Sequence, residues 1–498
     1  MKVKMLLKLF FATIVTQLLV SCSQPFVAHG VPNAGTSEAN SEDYTDFEVE
    51  LEELRQAFKI PGMSAAIVKD QELVWAKGFG YVDLDNQIKA TPDTPYHLAS
   101  LTKPFAAVIV MQLVEEGLIN LDDPVSDYGV FLDSPGVIRV RHLLTHTSDG
   151  EPGVQFSYNG WRYLYLDHII QVVTRKSFRE LLDERVLIPL EMDNTVPNPI
   201  SKGEGHLIPF SILLNPKNQH VYRNMARPYY LDSSYNLVEG QYEELFWPGA
   251  GLISTVIDMA KFHIALDQNV LVSQETKEQM FAPTVSKNGV ELPHGLGWFT
   301  QIHNGVRLIW HYGWWPPCAS AFILHVPDEN LTFIILATTD NLSRPYQLGS
   351  GNFLPLDSAV GVVFYKTFIH EPKNNVSIPH VDWKEKVDVI IEKLGAVTNP
   401  DVQEILEREL ISRRRLYDSV GQMEQSERLK TVHSQVYAPS RLENYADLQS
   451  IGNPPVKFEA PHTMYHRVAI LCLALIILSA PLLWWIIRRG IKGEDHDV

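Results

Sequence analysis

The chain has 498 residues, too many for one ordinary domain and enough to bury a large core. Its 45% hydrophobic and 20% charged content is that of a globular protein. A net charge of −17 argues against nucleic acid as a partner, and neither a Walker-type phosphate loop nor a dinucleotide fingerprint is present.

The first segment reads as an export signal. Lys2, Lys4 and Lys8 precede the apolar run LFFATIVTQLLV, which is too short for an ordinary membrane span. The run ends in Leu19-Val20-Ser21-Cys22, which resembles a lipobox and implies cleavage and lipidation at Cys22. Residues 1–22 are therefore expected to be a signal peptide, and the small, polar residues 23–45 a flexible tether.

A folded domain is expected over 46–372. It opens with an amphipathic helix, FEVELEELRQAFK, stopped by Ile60-Pro61-Gly62. Two strand-like runs follow, MSAAIVKD and ELVWAKGFGYVD, turning at Asp70-Gln71. The centre, 105–275, is mostly helical pattern and loops. A second strand pair, AFILHV and LTFIILATT, surrounds Pro327-Asp328-Glu329-Asn330. Strands from both ends enclosing helices predict an α+β class: an antiparallel β-sheet flanked by helices, with a helical subdomain.

Residues 373–464 carry long, charged helical pattern with Val402, Leu406, Leu410, Leu416, Val420 and Met423 at roughly helical spacing. They read as a helical stalk packing on the domain, or as an oligomerising coiled coil. A transmembrane helix is expected over 465–489, because Val468 to Ile487 holds no charge. Arg488, Arg489 and Lys492 follow it, so the tail 490–498 belongs in the cytoplasm and the folded domain outside. The expected location is a cell membrane, with a single pass and an extracytoplasmic catalytic domain. Cys22, Cys318 and Cys472 are the only cysteines, which leaves Cys318 alone in the folded part, without a disulfide or a cysteine metal cluster.

The chemistry centres on His97-Leu98-Ala99-Ser100-Leu101-Thr102-Lys103-Pro104, the only Ser-x-x-Lys in the chain. Pro104 is tolerated only in a helix's first turn, so Ser100 and Lys103 lie one turn apart at a helix start. A partly desolvated Lys can take a hydroxyl proton, and free N–H groups at a helix start can stabilise an oxyanion. Tyr158 stands in a loop before a helical run, and Trp310-His311-Tyr312-Gly313-Trp314 precedes a strand. His142 and His146 have i, i+4 spacing but lack the Glu of a His-Glu-x-x-His zinc motif, so no metal is expected.

In order, IPGMSAAIVKD, GFGYVD, TPDTPYHLASLTKPF, LVEEGLINLDDPVSDY, IRVRHLLTHTS, FSYNG, PGAGLISTVIDMAKF, HGLGW and WHYG cover residues 50–340. With these segments the chain resembles the serine β-lactamase and penicillin-binding-protein-like family, on the branch of class C β-lactamases, esterases and D-aminopeptidases. The resemblance implies Ser100 as acyl-accepting nucleophile, Lys103 as its base partner, Tyr158 as proton relay and His311-Tyr312-Gly313 as the third motif. It also places the backbone N–H groups of Ser100 and Trp314 at the oxyanion.

The chain departs from the family in its second motif. The usual Tyr-x-Asn reads Tyr158-Asn159-Gly160, so the substrate-binding carboxamide is missing or shifted onto Asn159. The function expected is a membrane-anchored serine hydrolase acting, without cofactor, on a small ester, amide or peptide, with esters ahead of β-lactams. Two rival readings stand beside it: a peptidase on D-amino-acid peptides of the cell wall, and a catalytically weak, membrane-tethered binding protein.

Overall fold

The computed structural model describes residues 44–199, 215–242, 245–346, 354–370, 378, 380–395 and 400–436. The signal segment, Cys22, the tether up to residue 43, the span at 465–489 and the tail 490–498 lie outside the described residues. Among the described residues, no helix is long and apolar enough to cross a membrane.

The first helix, α1 (Thr45–Ala57), forms where the sequence places it. Phe47, Leu51, Leu54 and Phe58 recur every three or four residues and are buried. Asp46 and Glu48 sit in its first turn and Arg55 in its last, which suits the helix dipole. The Arg55 guanidinium donates to the carbonyls of Ile60 and Pro61, and so ties down the exit.

A seven-stranded sheet is the centre of the molecule. Its strands are β1 (Gly62–Lys69), β2 (Glu72–Asp83), β3 (Ile88–Lys89), β4 (Phe299–His303), β5 (Val306–Trp315), β6 (Ala319–Val326) and β7 (Leu331–Ala337). The order is β3-β2-β1-β7-β6-β5-β4, and every pairing is antiparallel. Strand β1 pairs with β7, Met63 opposite Ala337, which closes the sheet around the helical insertion. The central strands read as unbroken apolar runs because both faces are covered. Ala66, Val68, Ile323, Ile334 and Leu336 face one core; Ala65, Ile67, Leu324, Phe333 and Ile335 face the other.

The first core is shared with the insertion. There α2 (Lys103–Glu115) is buried almost all round, and α3 (Leu164–Thr174) and α4 (Val256–Asp267) pack with it. Helix α4 is capped by the Thr255 side chain, which accepts from the N–H of Asp258. Three short strands that the sequence reading did not foresee, Tyr96–His97, Val196–Pro197 and Leu252–Ser254, form a small sheet beside α2. Strands of two or three residues carry no periodicity to read.

The second core is covered by α1, α5 (Ala359–Tyr365), α6 (Val387–Gly395), α7 (Pro400–Ser419) and α8 (Met423–Val436). Val402, Ile405, Leu406, Leu410, Leu416, Tyr417 and Leu429 are buried in the same cluster as Trp310, Phe322 and Phe333. The described part of the expected stalk is therefore a layer of the domain, with no break in the core at 372. Buried charges are paired there. Arg413 binds Glu409 at 2.6 Å, donates to the Asp382 carbonyl at 2.9 Å and lies 4.3 Å from the centre of the Trp383 ring.

Candidate active site

Ser100 stands in a single 3₁₀ turn, Ala99–Thr102, that runs directly into α2. Ala99, just before it, has φ of +48°, a left-handed conformation that costs a non-glycine residue about 1–2 kcal/mol. The surroundings hold it there. The Ala99 N–H donates to His97 Nδ1 at 3.1 Å, the Thr102 hydroxyl donates to the Ala99 carbonyl at 2.7 Å, and the N–H of Leu98 reaches the carbonyl of Leu252 at 2.8 Å. The short strands thus fix the turn that presents Ser100. Its side chain is partly exposed, while Ala99, Leu101 and Thr102 are buried.

Lys103 opens α2 and is only 1% exposed. Its Nζ lies 3.0 Å from Ser100 Oγ and 2.8 Å from the carbonyl oxygen of Gly249. Among the described residues, no carboxylate pairs with it. Burial therefore draws its pKa from 10.5 down to about 7. Gly249 has to be glycine for its carbonyl to come this close. A Cβ there would lie 2.5 Å from Trp247 Nε1 and 2.8 Å from the Gly160 carbonyl.

Tyr158 closes the other side. The Lys103 ammonium sits 5.1 Å from the centre of its ring and 5.3 Å from that of Tyr163. The Tyr158 hydroxyl is enclosed beside Ser100 and Tyr312 but makes no well-aligned hydrogen bond with either. Burial pushes its pKa up, so the phenol stays protonated.

His311 lies on β5, fully buried, with Nδ1 donating to the Tyr312 carbonyl at 2.8 Å. That bond leaves a bare lone pair on Nε2, which has no partner. Burial, then the charge of Lys103, lowers its pKa and holds the ring neutral. Gly313 is explained by packing: a Cβ would fall 2.0 Å from the Leu98 carbonyl, so only glycine lets β5 press against the Ser100 turn. The side chain of Trp314 points away to Asp340, with Nε1 3.1 Å from Oδ2.

Asn159 differs from the expectation. Its Oδ1 accepts from the N–H of Trp161 at 3.1 Å and its Nδ2 donates to Asp149 at 2.9 Å, beside an Arg162–Asp149 ion pair. The oxygen caps the turn and the nitrogen is tied to Asp149, so both ends of the carboxamide are engaged within the protein.

Three features escaped sequence reasoning. His146 and His294 join His311 around Tyr158, with His146 4.2 Å from Tyr158 and 4.9 Å from His294 between ring centres. His142 and His146 do not share a helix face. The helix ends at Leu144, His146 has φ of +53° and accepts from the N–H of Asn159, while His142 accepts from the N–H of Arg139 at the helix start. The carbonyl of Gly249 is invisible to a motif of side chains. Trp161 and Trp247 stack at 5.5 Å with Trp315 edge-on to Trp247 at 5.9 Å, beside Gly160 and Gly249. The Cys318 thiol is buried and pushed up to about 11, which keeps it protonated and inert.

Residues 50–349 match the family described as Beta-lactamase. The chain belongs to the Beta-lactamase family. Members of this family are serine hydrolases, and the antiparallel sheet with its helical insertion is the fold expected of a Beta-lactamase chain. Among curated proteins it is similar to Protein flp of Staphylococcus aureus strain MW2, 27% identical over 328 residues, covering 58% of this chain and 61% of that protein. It is also similar to Penicillin-binding protein 4* of Bacillus subtilis, 23% identical, covering 54% of this chain and 66% of that protein. The chain thus spans about three fifths to two thirds of these relatives. Among solved structures it resembles an octameric penicillin-binding protein homologue from Pyrococcus abyssi. That likeness has a TM-score of 0.52 at 25% identity and covers 66% of this chain and 81% of that one.

Proposed function

We propose that this Beta-lactamase family member is an acyl hydrolase in which Ser100 is the nucleophile and Lys103 the base. One observation carries the reading. Lys103 is buried 3.0 Å from Ser100 Oγ without a carboxylate, so about half of its amine is free at pH 7. A neutral amine accepts the Ser100 proton as Oγ attacks the substrate carbonyl. The lysine then returns that proton, through the Tyr158 hydroxyl, to the leaving group. In the second half water attacks the acyl-enzyme and Lys103 again takes a proton, releasing the acid and restoring Ser100. The N–H groups of Ser100 and Trp314 are proposed to hold the oxyanion, and the Nε2 lone pair of His311 to accept from a substrate or the Tyr158 hydroxyl.

Esters are proposed as the first substrate class, because Asn159 is tied to Asp149 and Trp161 and leaves no carboxamide to orient an amide. The stacked Trp161–Trp247 pair suits an apolar or flat acyl group. A small amide or D-amino-acid peptide is the second reading, favoured by the penicillin-binding names of the relatives. The proposed setting is a cell membrane facing the extracytoplasmic side, held by Cys22 and the 465–489 span. Labelling of the whole protein with a fluorophosphonate, followed by peptide mapping, tests the assignment. The label is expected on Ser100 and absent in Ser100→Ala. Labelling elsewhere, or parent-rate ester hydrolysis by the Ala variant, overturns it.

A further inference from the structure

A second cluster of polar groups lies where α4 meets the sheet. His263 and Asp267 are one turn apart on α4, and His325 is on β6. His325 is paired in register with Ile309 on β5 and Thr332 on β7. The two imidazoles are buried and the carboxylate is nearly so, opening outward at the end of the helix. His263 Nε2 is 3.3 Å from Asp267 Oδ2 and 3.1 Å from His325 Nδ1; His325 Nε2 is 3.6 Å from Asp267 Oδ1. Asp267 and two imidazoles form the donor set of a zinc-type ion.

Charge-assisted N–H···O bonds close to about 2.7–2.9 Å, and both contacts to Asp267 are longer than that. The 3.3 Å contact from His263 matches the edge of a tetrahedron with metal–ligand bonds of about 2.0–2.1 Å, and the 3.6 Å contact from His325, to the other carboxylate oxygen, is slightly longer. Thr332 Oγ1, 2.8 Å from His325 Nδ1, supplies the orienting partner that metal-bound histidines usually have and leaves Nε2 toward Asp267. Lys277, which donates to the Asp267 main-chain carbonyl at 2.6 Å, is the opposing charge at the rim.

We propose that His263, Asp267 and His325 form a divalent-cation site of zinc type that ties the end of α4 to the central sheet, with water at the fourth position. This site is independent of the Ser100 chemistry and sits on the same sheet face, two residues along β5 from His311.

The test uses the full chain, free of a histidine tag, stripped with chelator and titrated with Zn²⁺ alone. One equivalent should bind and raise the Tm, and Co²⁺ should give the intense visible bands of a tetrahedral site. Asp267→Asn, at the rim and nearly isosteric, should weaken binding at least tenfold, and His325→Gln should abolish it. Both variants should keep Ser100 labelling, which reports that they fold. No bound equivalent in the parent overturns the proposal, as does unchanged affinity in both folded variants. Weak, octahedral-type Co²⁺ spectra overturn it as well.

Discussion

Two buried lysines receive opposite treatment. Lys103 is 1% exposed and Lys366 5%, so both have lost nearly all contact with water. On one side of the sheet, Lys103 meets Ser100 Oγ, a carbonyl and two tyrosine rings but no carboxylate among the described residues, and burial draws its pKa down to about 7. Behind the sheet, burial also works against the Lys366 ammonium, but Glu409 and Glu50 outweigh it and its pKa rises. Burial alone therefore decides nothing; the presence or absence of a carboxylate converts one lysine into a base and the other into a fixed charge. The same contrast runs through the neighbourhoods. Around Lys103, the Tyr158 hydroxyl and Nε2 of His146, His294 and His311 lack protein partners. Around Lys366, the charges of Glu50, Glu409, Arg413 and His380 are joined to one another.

The largest effect should come from discharging the first lysine. Lys103→Met is expected to slow acylation by about 10³–10⁴-fold, and Ser100→Ala/Lys103→Met to turn over substrate no more slowly than Ser100→Ala alone, because the pair acts as one unit. The same variant should melt higher. A pKa drawn from 10.5 to about 7 corresponds to about 4–5 kcal/mol of charge penalty, of which the lost bonds to Gly249 and Ser100 cancel a large part. Acylation rates and melts of one preparation check both halves. A variant that loses both activity and stability would remove the distinction between the two lysines.

The pH dependence follows from the same depressed pKa. Acylation should rise with pH and level off above about 7, as the Lys103 amine becomes free. Tyr158, whose pKa is raised by burial, adds no falling limb in the neutral range. Unfolding lets Lys103 take up a proton between pH 7 and its ordinary 10.5, so its contribution to stability is worst below 7 and improves through that window. Single-turnover rates from pH 5 to 9 test the first statement. A flat profile, or one falling above 7, would place the base elsewhere.

Lys366→Met is the mirror image. It leaves Glu50 and Glu409 buried without their cation, and is expected to cost about 3–5 kcal/mol of stability while sparing the rate constant of the folded enzyme. Denaturant titration beside active-site counting separates the two. A folded variant whose acylation constant falls with its stability would show that the rear layer does not merely support the site.

These two regions were unequally legible in the sequence. That Ser100, Lys103, Tyr158 and His311 come together was legible because each is a side chain in an ordered motif, and strands such as AFILHV because a doubly covered strand reads as an apolar run. The carbonyl of Gly249, the left-handed Ala99 and the two-residue strands leave no pattern in side-chain chemistry. Asn159 misled for the same reason: its residue type suits a substrate, while its place at a turn start gives it a cap to form. The C-terminal helices read as a stalk because α7 is rich in charge. The structure shows why that charge is compatible with burial, since Arg413 and Glu409 neutralise each other one helical turn apart.

The smallest effect concerns the edge of the rear network. His380 Nδ1 lies 2.9 Å from Glu50 and Nε2 3.3 Å from Glu53, and the bond to Glu50 raises its pKa above 6.5 against partial burial. A raised imidazole pKa means that the folded state holds the proton more tightly. Its stabilisation is complete below the unfolded value of 6.5 and is lost as pH rises through the folded value. The side chain is about half exposed, so solvent screens most of the gain, and a few tenths of a kcal/mol to about 1 is expected. His380→Gln should therefore lower the Tm slightly at pH 6 and not at pH 9, with ester hydrolysis unchanged at both. The direction opposes that of Lys103, whose burden lightens as pH rises. Melts of the parent, Lys103→Met and His380→Gln across one pH series should thus diverge from the parent at the acid end with opposite signs. If the two variants shift the same way, the partnered and unpartnered cations are not electrostatically distinct.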